Sequence, residues 1–303
     1  MLDNLEFIIA AAGKSTRNYP HAKGLPHKCL LPIGDVRLID IVLRDIVAAG
    51  GRHVTLVCGD QKTIDALREA LAGDPDAESK LRARGHVRTA DALKSTFLPA
   101  DMDIKYAIQE KPLGTAQVLG LAHRLSPGRH GVLIFPDDII ESTGTGDTHL
   151  KRLCAAFLEN ERQILLTGIE KEDVSNNAII HGGRLIEKPK IAYNKIGGYS
   201  PIVVCRDCLD FIERATAQIE KTGRMPRDLS VGEWVYVDGI NAFLDSVPEN
   251  AYTLKMFLKS PEDTLWDTGT LPLYERAQIH ALLNRSAFAA ENRRLARAIL
   301  SED

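Results

Sequence analysis

A chain of 303 residues is long enough for one large α/β domain or two moderate ones, each with its own core. Its 44% hydrophobic and 26% charged residues are ordinary for a globular protein, and a formal net charge of −3 argues against a general nucleic-acid or anionic-membrane binder, so basic groups matter only where they cluster. The opening MLDNLE has no basic region, and the apolar run behind it is too short for a signal peptide or a membrane span, so a cytoplasmic location is expected.

The first predicted element is a strand, Phe7–Ala12, broken at Gly13. Lys14, Ser15, Thr16, Arg17, Lys23 and Lys28 follow before the apolar Leu30-Leu31-Pro32-Ile33. A buried strand opening into a loop of small and basic residues suits an anion. N–H groups at the glycine turn point at phosphate oxygens while Arg and Lys neutralise the charge. The plainer alternative is a strand-to-helix turn with solvated basic residues. GKST at Gly13–Thr16 imitates the end of a Walker A loop, but that loop needs a glycine where Ile8 stands, which argues against a P-loop ATPase or kinase. This stretch also lacks the G-x-G-x-x-G dinucleotide fingerprint.

A helix from Leu38 to Gly50-Gly51, a strand His53–Gly59 and a helix Gln61–Leu71 come next. Gly73–Lys94 is charged and poorly periodic and reads as a surface excursion. The core pattern resumes with strand Ile104–Ile108, helix Thr115–Leu125, strand Val132–Phe135, helix Leu150–Leu158 and strand Ile164–Gly168. Such alternation implies right-handed βαβ crossovers, hence an α/β fold with a Rossmann-like, mostly parallel sheet flanked by helices. From Ile179 the pieces are Ile179–Ile180, Leu185–Ile186 and Ile196–Cys205, which form a small β extension. Helices at Cys208–Ala217 and about Gly232–Leu244, a strand Tyr252–Leu258, a helix Leu273–Leu283 and an amphipathic tail Ala287–Leu300 complete the chain. The five cysteines, an odd number, suggest no disulfide framework, and Cys205 and Cys208 lack a second pair at zinc-ligand spacing.

Ligands of open α/β sheets gather beyond the carboxyl ends of strands, which singles out Gly13–Lys28, Gln109–Gln117 and Pro136-Asp137-Asp138. Asp137 and Asp267 are each expected to follow an apolar strand. Mg²⁺ takes one or two carboxylates and completes its shell with phosphate oxygens and water; a turn-forming aspartate is the plain alternative. Asp138 competes with Asp137 as the ligand. In Glu187-Lys188-Pro189 the proline biases Lys188 toward an extended conformation, so the two charged side chains are expected to point opposite ways. A carboxylate for a sugar hydroxyl and an ammonium for its phosphate would use such a pair, and a solvated charged turn is the alternative. Gln109 offers an amide for a base edge, and Gly114 admits close backbone approach.

Together these segments resemble the sugar-1-phosphate nucleotidyltransferases, most closely the bacterial UTP–glucose-1-phosphate uridylyltransferases, over roughly residues 5–275. The family's opening pattern falls on Gly13, Thr16, Arg17, Pro20, Lys23, Pro26, Lys28 and Leu31-Pro32. Its pyrimidine-contact segment falls on Gln109, Gly114, Ala116 and Gln117, and its acidic strand-end motif on Asp137. Later motifs fall on Glu187-Lys188-Pro189, on Gly232, Glu233 and Asp238, and on Trp266 with Asp267–Thr270. There are departures. Ser15 stands where the family has its second glycine, one extra residue separates Arg17 from Lys28, and Ala178 replaces a glycine whose N–H meets the sugar.

The resemblance implies a nucleotidyltransferase domain over 1–285, with a nucleotide-binding part over 5–170, a sugar-binding part over 171–285 and a helical tail over 286–303. It implies transfer from an NTP, with UTP first in line, to a sugar 1-phosphate, with glucose 1-phosphate first in line. The alternatives are dTTP, GTP or CTP as donor, and a non-catalytic nucleotide-sugar-binding homologue. By the same resemblance Arg17, Lys28 and Lys188 are the catalytic cations. Ala11, Ala12, Gly13, Ser15, Thr16, Gln109, Gly114 and Thr115 hold the nucleotide, and Asp138, Asn177, Ala178, Glu187 and Gly198 hold the sugar. Asp137 and Asp267 hold Mg²⁺. No nucleic acid or membrane partner is expected. Ala287–Leu300 is a candidate surface for a homo-oligomer, and a solvated capping helix explains it equally well.

Overall fold

The computed structural model describes residues 2–144, 146–226 and 228–301. In chain order it contains β1 (Leu5–Ala11), two short 3-10 turns (Thr16–Asn18 and Lys28–Leu30), β2 (Pro32–Ile33), β3 (Val36–Arg37) and α1 (Leu38–Ala49). Next come β4 (His53–Cys58), α2 (Gln61–Leu71), α3 (Pro75–Ala83), α4 (Val87–Lys94), β5 (Asp103–Ile108), α5 (Thr115–Leu125) and β6 (His130–Ile134). The middle of the chain holds β7 (Asp138–Ser142), α6 (His149–Leu158), β8 (Gln163–Glu170), β9 (Ala178–His181), β10 (Arg184–Glu187), β11 (Ile196–Val204) and α7 (Arg206–Thr222). It closes with α8 (Tyr236–Ser246), β12 (Thr253–Leu258), β13 (Asp263–Asp267), α9 (Leu271–Asn284) and α10 (Ala289–Leu300).

β1 lies at the centre, parallel to β4 on one side and β6 on the other, with β5 parallel beyond β4. Successive residues such as Phe7, Ile8 and Ile9 are all buried, as a strand covered on both faces requires. α5 packs along β1, β4 and β5 and against α7, while α6 packs on β8 and β11 and against α1. Beyond β6 the sheet turns antiparallel. β11 pairs with β6 through Ile202–Val204 and with β8 along its other edge, and β12 runs parallel to β8. The other end of β11 runs on past β6 and meets β9 at Gly198 and Ala178, and β10 pairs with β9. The register against β8 shifts between Tyr199 and Ile202.

Two strands that the hydrophobic pattern does not reveal form a separate ribbon. β7 and β13 pair antiparallel, with Asp267 opposite Asp138 and Trp266 opposite Ile139. Asp267 therefore ends this ribbon and does not follow the apolar strand β12. A small second core, formed by Leu31, Ile33, Leu38, Ile139, Tyr274 and Ala281, fastens the ribbon and α9 to the end of the phosphate loop.

Gly73–Lys94 is also more regular than its sequence pattern suggests, since it forms α3 and α4. α3 buries no residue and α4 only Ala90, so neither shows an apolar period. α3 is held instead by Asp74 capping Ala77 N at 2.8 Å, Pro75 in its first turn and the Glu78–Arg82 pair. α8 begins at Tyr236 rather than near Gly232, because the backbone of Trp234 is bonded to Leu113 O and Ala116 N. α10 packs on α9 and leaves Leu295, Ile299 and Leu300 exposed. Among the described residues no helix is long and apolar enough to cross a membrane.

Candidate active site

The carboxyl ends of β1, β4, β5 and β6 open onto a cleft of two chambers. The larger, about 830 Å³, is lined by Ala11, Ala12, Gly13, Gln109 and Gly114 among others. The smaller, about 380 Å³, is lined by Arg17, Asp138, Asn177, Ala178, Glu187, Lys188, Gly198 and Asp267. Lys28, Thr115, Phe135 and Asp137 line both and form the junction. Ser15 and Thr16 line neither chamber. Thr16 opens a 3-10 turn and is exposed, and Ser15 bonds within the loop.

The junction is electrostatic. Lys28 Nζ and Asp137 Oδ2 form an ion pair whose side chains are each 13% exposed. His27, beside it, is buried, and burial with the neighbouring Lys28 charge lowers its pKa to about 4. It is therefore neutral at pH 7, and its Nδ1 accepts the N–H of Cys29 at 3.1 Å. Both neighbours in the loop line the larger chamber; Lys28 alone reaches the junction with the smaller one, and His27 also supports the turn that carries it.

Asp137 and Asp267 converge. A Cβ placed on Gly269 would lie 2.9 Å from Asp137 Oδ2, 3.0 Å from Asp267 Oδ1 and 3.8 Å from Arg17 Nη2. Gly269 N donates to Asp267 Oδ1 at 2.7 Å, and Thr268 N donates to Asp137 O at 2.8 Å. Asn18 Nδ2 donates to Thr268 O at 2.8 Å and ties the turn carrying Arg17 to the same segment. Two carboxylates on one point match the donor set of a magnesium ion that takes its remaining ligands from phosphate and water. No closed cluster of three or more His, Cys, Asp or Glu occurs among the described residues, so an open site fits and a protein cage does not.

Asp138 sits differently. Its Oδ2 accepts the N–H of Ser200 at 3.1 Å, and burial together with the Asp137 charge raises its pKa. Burial likewise raises Glu187 and Tyr236, so these two and Asp138 are biased toward holding their protons.

Lys188 corrects an expectation. Its φ is 46°, left-handed rather than extended, despite the proline after it. Its N–H donates to Asn177 O at 3.2 Å, continuing the β9–β10 ladder one residue past Glu187, and the chain turns there. As a result Glu187 and Lys188 line the same chamber and do not point opposite ways.

In the larger chamber Gly114 has φ 129° and packs on the backbone of Trp234, where a Cβ would come within 2.4 Å of the Trp234 carbonyl. Gln109 Nε2 donates to Gly114 O at 2.9 Å and to Gln117 Oε1 at 2.8 Å. Its amide nitrogen thus supports the loop, and the atom it can still offer a ligand is the carbonyl oxygen.

Residues 6–200 match the family model described as nucleotidyl transferase. The chain belongs to the nucleotidyl transferase family. It is 25% identical over 218 residues to the UTP–glucose-1-phosphate uridylyltransferase 1 of Staphylococcus saprophyticus subsp. saprophyticus, a match covering 68% of this chain and 74% of that one. With the UTP–glucose-1-phosphate uridylyltransferase of Bacillus subtilis it shares 29% over 139 residues, so the match spans about half of either chain, 46% of each. The UDP-glucose pyrophosphorylase of Acinetobacter baumannii superposes with a TM-score of 0.77 at 17% identity, over 97% of this chain and 99% of that one, which is a likeness of fold.

The cleft of this nucleotidyl transferase is also built with residues that the sequence did not single out. Tyr236 and Ser200 wall the smaller chamber, and Ser200 Oγ accepts Phe135 N at 3.0 Å, holding the end of β6. Lys171 Nζ donates to Asn177 Oδ1 at 3.1 Å and to Tyr199 Oη at 2.9 Å behind that wall. Tyr236 lies just past the Gly232–Glu233 motif, and Asn18 adjoins Arg17, so both had a neighbour that could have flagged them. Ser200 likewise lies two residues past Gly198, and Lys171 alone of these had no such neighbour.

Proposed function

We propose that this nucleotidyl transferase couples UTP to glucose 1-phosphate and releases UDP-glucose and pyrophosphate. The reading rests chiefly on one observation: two chambers of unequal size meet at Lys28, Thr115, Phe135 and Asp137. In it a nucleotide occupies the larger and a sugar phosphate the smaller, so their phosphates meet at the junction. A sugar-phosphate oxygen attacks the α-phosphorus of the triphosphate, the bond to the bridging oxygen breaks, and pyrophosphate leaves with the electron pair. No covalent intermediate is required, because positioning and charge stabilisation carry this kind of transfer.

Arg17 and Lys28 would balance the charge on the triphosphate and the leaving group. Lys188 would hold the sugar phosphate, and Glu187 would accept from sugar hydroxyls. Gln109 and Gly114 would seat the base. Asp137 and Asp267 would hold a magnesium ion, which when bound neutralises phosphate charge. Lys28 would then give up its ion pair with Asp137 and turn to phosphate. The names of the matching uridylyltransferases favour UTP and glucose 1-phosphate. Five free, buried cysteines are in keeping with the cytoplasmic setting that we propose with it.

The test is pyrophosphate release from a panel of nucleoside triphosphates and sugar 1-phosphates, with and without Mg²⁺. Fastest release from UTP with glucose 1-phosphate, and none once the metal is chelated, is expected. Release from another pair would move the substrate assignment, and release from none would overturn the reaction.

A further inference from the structure

Ser15 lies outside both chambers, yet it holds the loop that serves them. Its φ of 57° and ψ of 19° are left-handed values that strain any residue with a Cβ and leave glycine unstrained. Its side chain supplies what glycine there could not. Ser15 Oγ accepts the N–H of Lys28 at 2.9 Å across the loop, and donates to Gly13 O at 3.4 Å.

Lys28 opens the 3-10 turn Lys28–Leu30, and the first N–H groups of any helical turn lack internal partners. His27 Nδ1 takes that of Cys29, and Ser15 Oγ takes that of Lys28. The head of the phosphate loop is thereby bonded to its end. From that fixed backbone the Lys28 side chain reaches Asp137, at the junction of the two chambers.

Resting on the nucleotidyl-transfer reading, we propose that Ser15 is a positioning residue: its hydroxyl pins the Lys28 backbone to the start of the phosphate loop and so sets Lys28 Nζ at the junction. It acts through Lys28 and touches no substrate. The left-handed strain at Ser15 is held in place by this bond.

The test compares S15A, S15G and S15N with the native protein, and S15A with native Ser15 in a K28A background. Pyrophosphate release, thermal unfolding and amide exchange at Lys28 are the readouts. S15A and S15G should each lower kcat about threefold to tenfold, the scale of one hydrogen bond, with the KM for sugar 1-phosphate unmoved. The Lys28 amide should exchange faster in both. S15G should melt no lower than the native protein, because glycine relieves the left-handed strain, and this separates positioning from stability. S15N, which tolerates that backbone and offers an acceptor, should recover part of the rate. On K28A the S15A change should cost nothing further.

Native kcat and native Lys28 exchange in S15G would overturn the proposal, as would a full S15A penalty on K28A. If the native protein released no pyrophosphate from any substrate pair, the reaction reading would fail instead. The exchange at Lys28 would still decide whether Ser15 holds it.

Discussion

Asp137, in the turn just before β7, and Asp267, at the end of β13, reach one point beside a ribbon that stands apart from the main sheet. Asp267 closes β13 opposite Asp138, and a Cβ on Gly269 would lie within 3.0 Å of an oxygen of each aspartate. Arg17 approaches the same point from the phosphate loop. D267A and R17A should each lower turnover about a hundredfold or more, the scale for losing one preorganised charge partner. Both side chains lie on the cleft, so thermal unfolding should stay close to native. Near-native turnover in either variant would remove that residue from the reaction.

Gly269 should be sensitive for a different reason. Its backbone needs no positive φ, so alanine costs little conformationally, but the new methyl must displace the Asp137 and Asp267 carboxylates. G269A is expected to fold normally, to lose turnover by about tenfold or more, and to need a higher Mg²⁺ concentration for half-maximal rate. Unchanged magnesium dependence would mean that the two carboxylates do not act on a shared ion.

Gly114 answers to the fold as well as to the site. Alanine there would carry φ 129° and place a methyl 2.4 Å from the Trp234 carbonyl, at the backbone contact that holds residues 113–116 to 234–236. G114A should lower the unfolding free energy by ~2–4 kcal/mol and weaken nucleotide binding together. Denaturant unfolding and nucleotide titration check the two effects, and a native-like stability would show that the Trp234 segment can move aside.

Much of this site is legible in the sequence because the phosphate loop, the Gln109–Gln117 segment and Glu187–Lys188 each sit at an element boundary that hydrophobic period and glycine mark. The ribbon is not legible. β7 and β13 are short and half-buried, and their place comes from pairing with each other and from the small core under α9. The left-handed backbone of Lys188 is missed for a related reason: the local bias of a residue before proline yields to a ladder bond with Asn177. α3 and α4 lie against too little core to carry a period, so only their caps could have announced them. Ser15 is visible as a departure from the family pattern, but the partner of its hydroxyl lies beyond the turn and emerges only from the fold.

His27 makes a prediction with a sign. Its folded pKa is about 4 against 6.5 for a free imidazole, so between these values the unfolded chain binds the extra proton and the folded one does not. Stability from this group is complete above pH 6.5, falls as the pH drops toward 4, and changes no further below that. Asp45, whose carboxyl burial pushes up to about 6, works in the opposite direction, so the informative quantity is the difference between native protein and H27N. Asparagine can keep an acceptor for Cys29 N and cannot become charged. Going from pH 7 to 4, the native protein should lose on the order of 3 kcal/mol relative to H27N, measured by denaturant unfolding at each pH. A gap independent of pH would show that the imidazole charges as readily in the fold as in water, which a neutral acceptor beneath Lys28 does not allow.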